Sequence, residues 1–238
     1  MTAALRLVDT GLNGARWNVA VTAALAELHG QGRIPDTLRL HRYPVSVLLG
    51  RSQPLTAALR ATCARRGAEI ARRVTGGGAV AMGPGVLAWD LVVSRGTWPS
   101  LDAAAATIGE ALAAALRALG LAAAFRAPGD ILIGTRKVAG TSGLFDGPTL
   151  LHQGSLLVDA DIGGMADLLG LPDLPVTTLA AHGAPMPAIA DSIATALGRP
   201  LHPAALSETE LGLAGRLLAD EIGTEDFVAG EAAREPVP

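Results

Sequence analysis

The chain of 238 residues has one cysteine, Cys63, so it cannot close an intramolecular disulfide or build a zinc site from several thiolates. Aromatic residues make up 3% of it, which leaves alanine, leucine and valine to form most of the core. Packing of that kind leaves room for a pocket. Positive charge is not in excess either: a formal net charge of −3 argues against a nucleic-acid binder held by bulk charge, although Arg65-Arg66, Arg72-Arg73 and Arg136-Lys137 are local basic pairs. Long apolar runs are missing. Arg117 and Gly120 interrupt residues 111–125, three prolines interrupt residues 174–190, and no basic segment leads into an apolar run at the start. Neither a membrane span nor a signal peptide is therefore expected, and the expected compartment is the cytoplasm. The five histidines, at 29, 41, 152, 182 and 202, have no HExxH-like spacing, so a metal held by protein ligands alone is not expected.

Glycine, by contrast, is concentrated where it can do chemistry. Residues 72–90 read RRVTGGGAVAMGPGVLAWD: two guanidinium groups lead through Thr75 into Gly76, Gly77 and Gly78, and a Gly83-Pro84-Gly85 turn feeds the β-like run 86–93. Without a Cβ, glycine lets its backbone come close to a ligand and opens φ > 0. Successive amides turned to one side form an anion-binding concavity, to which Arg72 or Arg73 can add forked, charge-assisted hydrogen bonds. The same residues also suit a glycine-rich hairpin with two solvated arginines. Known nucleotide patterns do not fit. No Gly-Lys-Ser/Thr follows, and Gly83 to Ala88 precedes a strand-like run where a dinucleotide fingerprint needs a helix.

Around this stretch the chain reads as strands and helices. Residues 5–9 alternate as a strand, and residues 15–28 have apolar positions at helical spacing with Gly30 as the stop. Residues 37–43 read as a half-buried strand, Pro44 breaks it, and 45–49 continue as a buried one, the two forming a hairpin arm. Gly50-Arg51-Ser52-Gln53 ends that arm, as an ordinary loop or as a place where a ligand approaches. Residues 56–66 form a helix closed by Gly67, in which Cys63 is either a small packing residue or a thiol of lowered pKa. The longest helix covers residues 101–119, with Ser100 as its N-cap, Gly120 as its stop and no evident chemistry. Gly134-Thr135 between two apolar runs is a type II′ hairpin signal, from which Lys137 emerges ahead of a flexible segment 140–143. Residues 150–158 form a strand carrying His152-Gln153-Gly154-Ser155. Helices are expected at 161–169, 187–197 and 207–222, and a frayed tail at 231–238.

The sequence RRVTGGGAV at 72–80 closely resembles the RRxxGGGAV signature of the lipoate-protein ligase catalytic domain, within the wider biotin and lipoate ligase fold. Three further stretches match in the same order: residues 40–53 (LHRYPVSVLLGRSQ), 129–143 (GDILIGTRKVAGTSG) and 151–159 (LHQGSLLVD). Asn18-Val19-Ala20 also resembles the family's Asn-Met-Ala-like helical segment. The resemblance implies activation of lipoate or octanoate by ATP with Mg2+ to an acyl-adenylate. Transfer to a lysine of a lipoyl-domain or H-protein-like acceptor follows. It places Arg72, Arg73, Gly76, Gly77, Gly78, Ala79 and Val80 around the adenylate. Lys137 falls on the lysine of the GRKxxG motif, which contacts the acyl carboxylate and the α-phosphate, where a fixed ammonium stabilises developing charge. Gly140 and Thr141 follow in that motif. Asp130 stands where the ligases have an aspartate linked to Mg-ATP handling, a hard oxygen donor suited to magnesium. Equally, it closes the Pro128-Gly129 turn. His152 and Gly154 belong to an element resembling HHG or HQG, with His152 as a pocket wall and not a base.

Two departures bear on mechanism. Typical ligases continue the glycine motif with His-Asp-Leu-Gly-Asn, whereas this chain has Met82-Gly83-Pro84-Gly85-Val86, closer to the octanoyl transferases and amidotransferases of the same fold. Those relatives attack a thioester with a cysteine shortly before the motif lysine, yet residues 124–128 contain none. The GRGRxGR-like signature of biotin ligases is also missing. The expected architecture is a single α+β domain over residues 1–238, its core at about 5–205 followed by a short helical tail. Its sheet is mixed or largely antiparallel with helices against one face. No large accessory domain is expected within the chain; it is either absent or supplied by a separate chain. The main expectation is a lipoate-protein ligase. Transfer from a carrier thioester and a non-catalytic lipoyl- or nucleotide-binding module are the alternatives.

Overall fold

Two β-sheets of unequal size frame the molecule, and the chain crosses between them at Pro44. The computed structural model describes residues 3–230. In order, the first elements are β1 (Leu5–Leu12), α1 (Ala15–Gly30), β2 (Thr37–Arg42), β3 (Ser46–Leu49), α2 (Ala57–Arg66), β4 (Glu69–Arg72), β5 (Val80–Met82) and β6 (Val86–Ser94). Then come α3 (Leu101–Ala118), β7 (Ala123–Arg126), β8 (Asp130–Ile133), β9 (Arg136–Asp146), β10 (Thr149–Leu157) and α4 (Ile162–Leu169). The described chain ends with α5 (Ile189–Leu197), β11 (Leu201–Pro203), α6 (Glu208–Leu217), a π-helical turn Leu218–Ile222 and α7 (Glu225–Ala229).

The large sheet runs β11-β1-β2-β6-β10-β9-β8-β7. Its first three strands are parallel and the remaining pairings antiparallel, so the expected mixed α+β architecture holds. The small sheet is β4-β3-β5. The expected hairpin arm is therefore corrected: β2 pairs with β1 and β6, while β3 pairs with β4 and β5. A proline that cannot donate a ladder hydrogen bond marks the point where the chain changes sheets.

Helices cover both faces of the large sheet, not one. Leu87, Trp89, Leu91 and Val93 of β6 pack with Ile108, Leu112 and Leu116 of α3 and Ile193 of α5. Val92, from the alternate positions, packs against Val21, Leu25 and Leu28 of α1. A strand buried on both sides needs apolar residues without alternation, which is why 86–93 reads as a nearly continuous apolar run. Asp90 interrupts it.

Helix ends follow local chemistry. The Ser100 and Thr56 side chains accept from the amides of Ala103 and Leu59, and Gly67 ends α2 in the left-handed region at φ 60°. Each such cap contributes about 1 kcal/mol. Gly30 lies inside α1 and Gln31 is its C-cap; the left-handed glycine is Gly32. The expected helix at 207–222 becomes α6, opened by a Ser207–Glu210 capping box, and the π-helical turn. The tail expected at 231–238 lies outside the described residues.

Candidate active site

A cleft of about 670 Å³ opens where the glycine loop, the β8–β9 hairpin and the start of α3 converge. Leu48, Ala81, Met82, Ala88, Leu157 and Met165 give it an apolar wall. Of the residues singled out from sequence, Arg73, Gly76, Gly77, Gly78, Ala79, Val80, Asp130, Lys137, Gly140, Thr141, His152 and Gly154 all line it.

Arg72 does not, and its expected ligand role is corrected. It is 2% exposed, and its guanidinium is spent on main-chain carbonyls. Nη1 donates to Gly50 (2.8 Å), Arg51 (3.0 Å) and Gln53 (2.6 Å), while Nε and Nη2 reach Phe227 (2.9 Å) and Val228 (2.8 Å). Adjacent residues leave a strand end on opposite sides, so only one of the two arginines can face the cleft. Arg73 is that one. Its Nη1 donates to Leu48 O at 2.8 Å, and Nη2 donates to Gly76 O at 2.8 Å and Gly78 O at 3.1 Å. Arg73 therefore fixes the loop through its carbonyls.

The three glycines themselves are exposed. Only Gly77 needs to be glycine for backbone reasons, at φ 95°. Among the described residues, the N–H groups of Gly76, Gly77 and Gly78 donate no hydrogen bond to protein. That leaves three amide donors at the cleft edge, an arrangement suited to an anion. Gly50 supports the loop from beneath, where a Cβ would stand 1.8 Å from Gly77 O.

Lys137 is aimed by two backbone devices. The Gly134-Thr135 turn has φ 60° at Gly134 and no positive φ at Thr135, as a type II′ turn requires. A bulge follows, with Leu132 opposite Lys137 and Ile131 opposite Ala139, so Val138 is the extra residue. Bulges commonly re-aim side chains next to sites. The Lys137 main chain also pairs with Pro175 O and Thr177 N, which ties this end of β9 to residues 175–177. Segment 140–143, expected to be flexible, is part of strand β9 and pairs with β10.

Lys137 Nζ lies 2.7 Å from Asp130 Oδ1, and Arg126 Nη2 lies 2.7 Å from Asp130 Oδ2. Burial pushes the Asp130 carboxyl up, but hydrogen bonds and charge from Lys137 and Arg126 outweigh it and hold the group below its ordinary range. A Cβ on Gly140 would come within 2.5 Å of Lys137 Cε and Nζ. Glycine is there to make room for the lysine.

His152 is 1% exposed, and burial lowers its pKa to about 4, leaving the ring neutral near pH 7. Among the described residues neither ring nitrogen has a partner, nor do Trp89 Nε1 and Thr141 Oγ1, which line the same cleft. A buried polar atom without a partner costs about 1–3 kcal/mol, so these are groups that a bound polar molecule would satisfy. Gly154 is required by Trp89: a Cβ would lie 1.9 Å from the indole Cζ2.

Residues 14–208 match the model of the Lipoyl protein ligase A/B catalytic domain. The chain belongs to this family. The octanoyltransferase LipM of Symbiobacterium thermophilum is 29% identical over 222 residues, covering 82% of this chain and 80% of that protein. Among solved structures, the bi-partite lipoate protein ligase of Thermoplasma acidophilum aligns at a TM-score of 0.82 and 23% identity over all of both chains. A lipoate-protein ligase A bound with ATP aligns at 0.80 and 24%, covering 97% of this chain and 99% of that one. At such identities the structures demonstrate the shared fold.

Within this lipoyl-ligase-family domain, Cys63 does not line the cleft. It borders a separate recess of about 470 Å³ with Arg16, Arg60 and Glu225, where burial raises its pKa. Of the two readings of Cys63 the structure supports the small packing residue, since the basic neighbours on α2 do not offset burial. Among the described residues no three His, Cys, Asp or Glu side chains form a metal-binding group. Asp130 already has both oxygens in ion pairs, so as a magnesium ligand it would exchange one of them. No helix among the described residues is long and apolar enough to cross a membrane. The helix read at 101–119, with no chemistry evident in its sequence, contributes Leu101, Asp102 and Ala105 to the cleft lining. Sequence reasoning gave no role to Trp89 or Asp90 and named Gln153 only as a member of the His152-Gln153-Gly154-Ser155 element. A lone carboxylate inside the apolar run 86–93 was the available signal for Asp90.

Proposed function

We propose that this protein is a lipoate-protein ligase: it activates lipoate, or octanoate, with MgATP to the acyl-adenylate and passes the acyl group to a lysine of a lipoyl-accepting protein. The observation that carries this choice is where the one cysteine lies. A thioester route needs a nucleophilic thiol in the cleft, and Cys63 borders a different recess as a buried thiol of raised pKa. Adenylation needs no nucleophile from the protein. The substrate carboxylate attacks the α-phosphate, pyrophosphate leaves, and the chain's task is to hold the reacting groups and neutralise charge. Lys137 would hold the carboxylate and α-phosphate, with Asp130 and Arg126 fixing its position. The amides of Gly76, Gly77 and Gly78 would take phosphate oxygens, and the apolar wall would take the acyl chain. Asp130 would offer a carboxylate oxygen to a magnesium ion brought by ATP, a hard cation that would neutralise phosphate charge.

The Thermoplasma acidophilum ligase, described with its E2 lipoyl domain, is the model for the acceptor. A separate accessory chain and a cytoplasmic setting belong to the same proposal. The rival reading, octanoyl transfer from a carrier thioester, is favoured by relatives named octanoyltransferase LipM, several at 28–30% identity. The test is lipoate-dependent exchange of labelled pyrophosphate into ATP, run on wild type, Lys137→Ala and Cys63→Ser. The expected outcome is exchange in wild type and Cys63→Ser, with loss by at least a hundredfold in Lys137→Ala. Absence of exchange in wild type, together with octanoyl transfer from a carrier that Cys63→Ser abolishes, would overturn it.

A further inference from the structure

We infer that Gln153 is a positioning residue for the glycine loop, acting through Thr75 at the end of a buried polar ladder that begins at Asn18. The sheet registers carry the inference. Arg39 on β2 stands opposite Asp90 on β6, Asp90 opposite Gln153 on β10, and Gln153 opposite Ser142 on β9. These four polar residues therefore form one row across four adjacent strands. Hydrogen bonds follow the row from Arg39 to Gln153 and there leave it for Thr75. Arg39 donates to both oxygens of Asn18, the main-chain O at 3.0 Å, and to Asp90 Oδ2 at 3.1 Å. Thr22 Oγ1 also donates to Asp90 Oδ2, at 2.8 Å. Gln153 Nε2 donates to Asp90 Oδ1 at 2.7 Å, and Thr75 Oγ1 donates to Gln153 Oε1 at 2.8 Å. Ser142 Oγ reaches Gly76 O at 3.3 Å.

The direction of each bond is fixed by chemistry. Arg39 only donates and ionised Asp90 only accepts, so Gln153 must turn its NH2 toward Asp90 and its oxygen toward Thr75. Thr75 is then the donor, and its side chain is pinned one residue before Gly76. Arg39, Asp90 and Thr75 are all 0% exposed. A buried ion pair is weak evidence for stability, because apolar residues of similar volume often serve as well. What this one supplies is direction, delivered to the loop whose three glycines line the cleft with amides unpaired among the described residues. The ladder also gives Asn18 a role: with its Nδ2 on the carbonyls of Asn13 and Arg42, both at 2.8 Å, it anchors Arg39.

The inference deepens the proposed function by resting on the glycine loop as the ligand cradle, and its test separates the two. Thr75→Val keeps the shape and removes the donor, Thr75→Ser keeps the donor, and Gln153→Leu removes the acceptor. Backbone 15N order parameters of residues 76–78 in ligand-free protein are the first readout. The expected values are about 0.85 in wild type and Thr75→Ser, falling below about 0.6 in Thr75→Val and Gln153→Leu. The second readout is pyrophosphate exchange, in which KM for ATP rises about five- to tenfold in those two variants while kcat stays within about twofold. The double variant is expected to be no worse than either single one. Unchanged order parameters in folded Thr75→Val would overturn the inference, as would failure of Thr75→Ser to behave as wild type. Should Gln153→Leu not fold, the threonine pair still decides. Should wild type show no exchange, which bears on the ligase proposal, the order parameters still judge the ladder.

Discussion

Gly140→Ala is expected to remove activity without removing stability. The added methyl would lie 2.5 Å from Lys137 Cε and Nζ, a distance that no relaxed contact has, so one of the two must move. The β9 backbone is held by β8 and β10, whereas the lysine tip is the far end of a flexible chain and 38% exposed. The ammonium moves. Its pair with Asp130, 26% exposed, is lost at a cost of about 0–1 kcal/mol. Gly140 has no positive φ, so alanine adds no backbone strain and reduces unfolded-chain entropy, offsetting about 0.4–1 kcal/mol. The urea midpoint should therefore change by the equivalent of less than about 1 kcal/mol. At the site, a displaced charge-stabilising group costs about 10²–10³ in kcat. Urea denaturation and pyrophosphate exchange, measured on one preparation, check both halves. Full activity in folded Gly140→Ala would refute the placement of Lys137, and unfolding would refute the account of which atom gives way.

Two further expectations concern the fold itself. His152 and His41 are buried neutral, with pKa values lowered from 6.5 to about 4 and about 3, by burial first and, for His41, also by Arg39. Between pH 6.5 and 4 the unfolded chain takes up protons that the folded one refuses, so stability falls as pH falls through that window. From pH 7 to 5 each histidine should contribute a loss of about 2 kcal/mol. In urea titrations His152→Leu should show about half the wild-type pH dependence, and an unaltered slope would show that the ring is not buried neutral. Arg72→Met should cost about 3–5 kcal/mol, because it strips donors from the carbonyls of Gly50, Arg51, Gln53, Phe227 and Val228. A thermal unfolding curve like that of wild type, with weakened ATP binding, would restore Arg72 to the ligand role that the sequence suggested.

Much of this site was legible before any coordinate, because the features that mark it are local. The glycine run, the Gly134-Thr135 turn that launches Lys137, the N-cap at Ser100, the stop at Gly67 and the four ordered blocks of family resemblance depend on neighbours within a few residues. Short-range sterics and hydrogen bonding decide such features wherever they occur. Other features were invisible for the complementary reason. Which of two adjacent arginines faces the cleft depends on strand β4 and on the carbonyls of Phe227 and Val228, far away in the chain. That residues 140–143 form a strand depends on β10, and the parting of β2 from β3 depends on which sheet captures each. Asp90 reads as a flaw in an apolar strand until Arg39, Thr22 and Gln153 close around it. The sequence by itself thus determined the turns, the caps and the chemistry available. The partners of each buried polar group were decided by tertiary structure alone, because a charge or amide removed from water must be satisfied by whatever the fold brings to it.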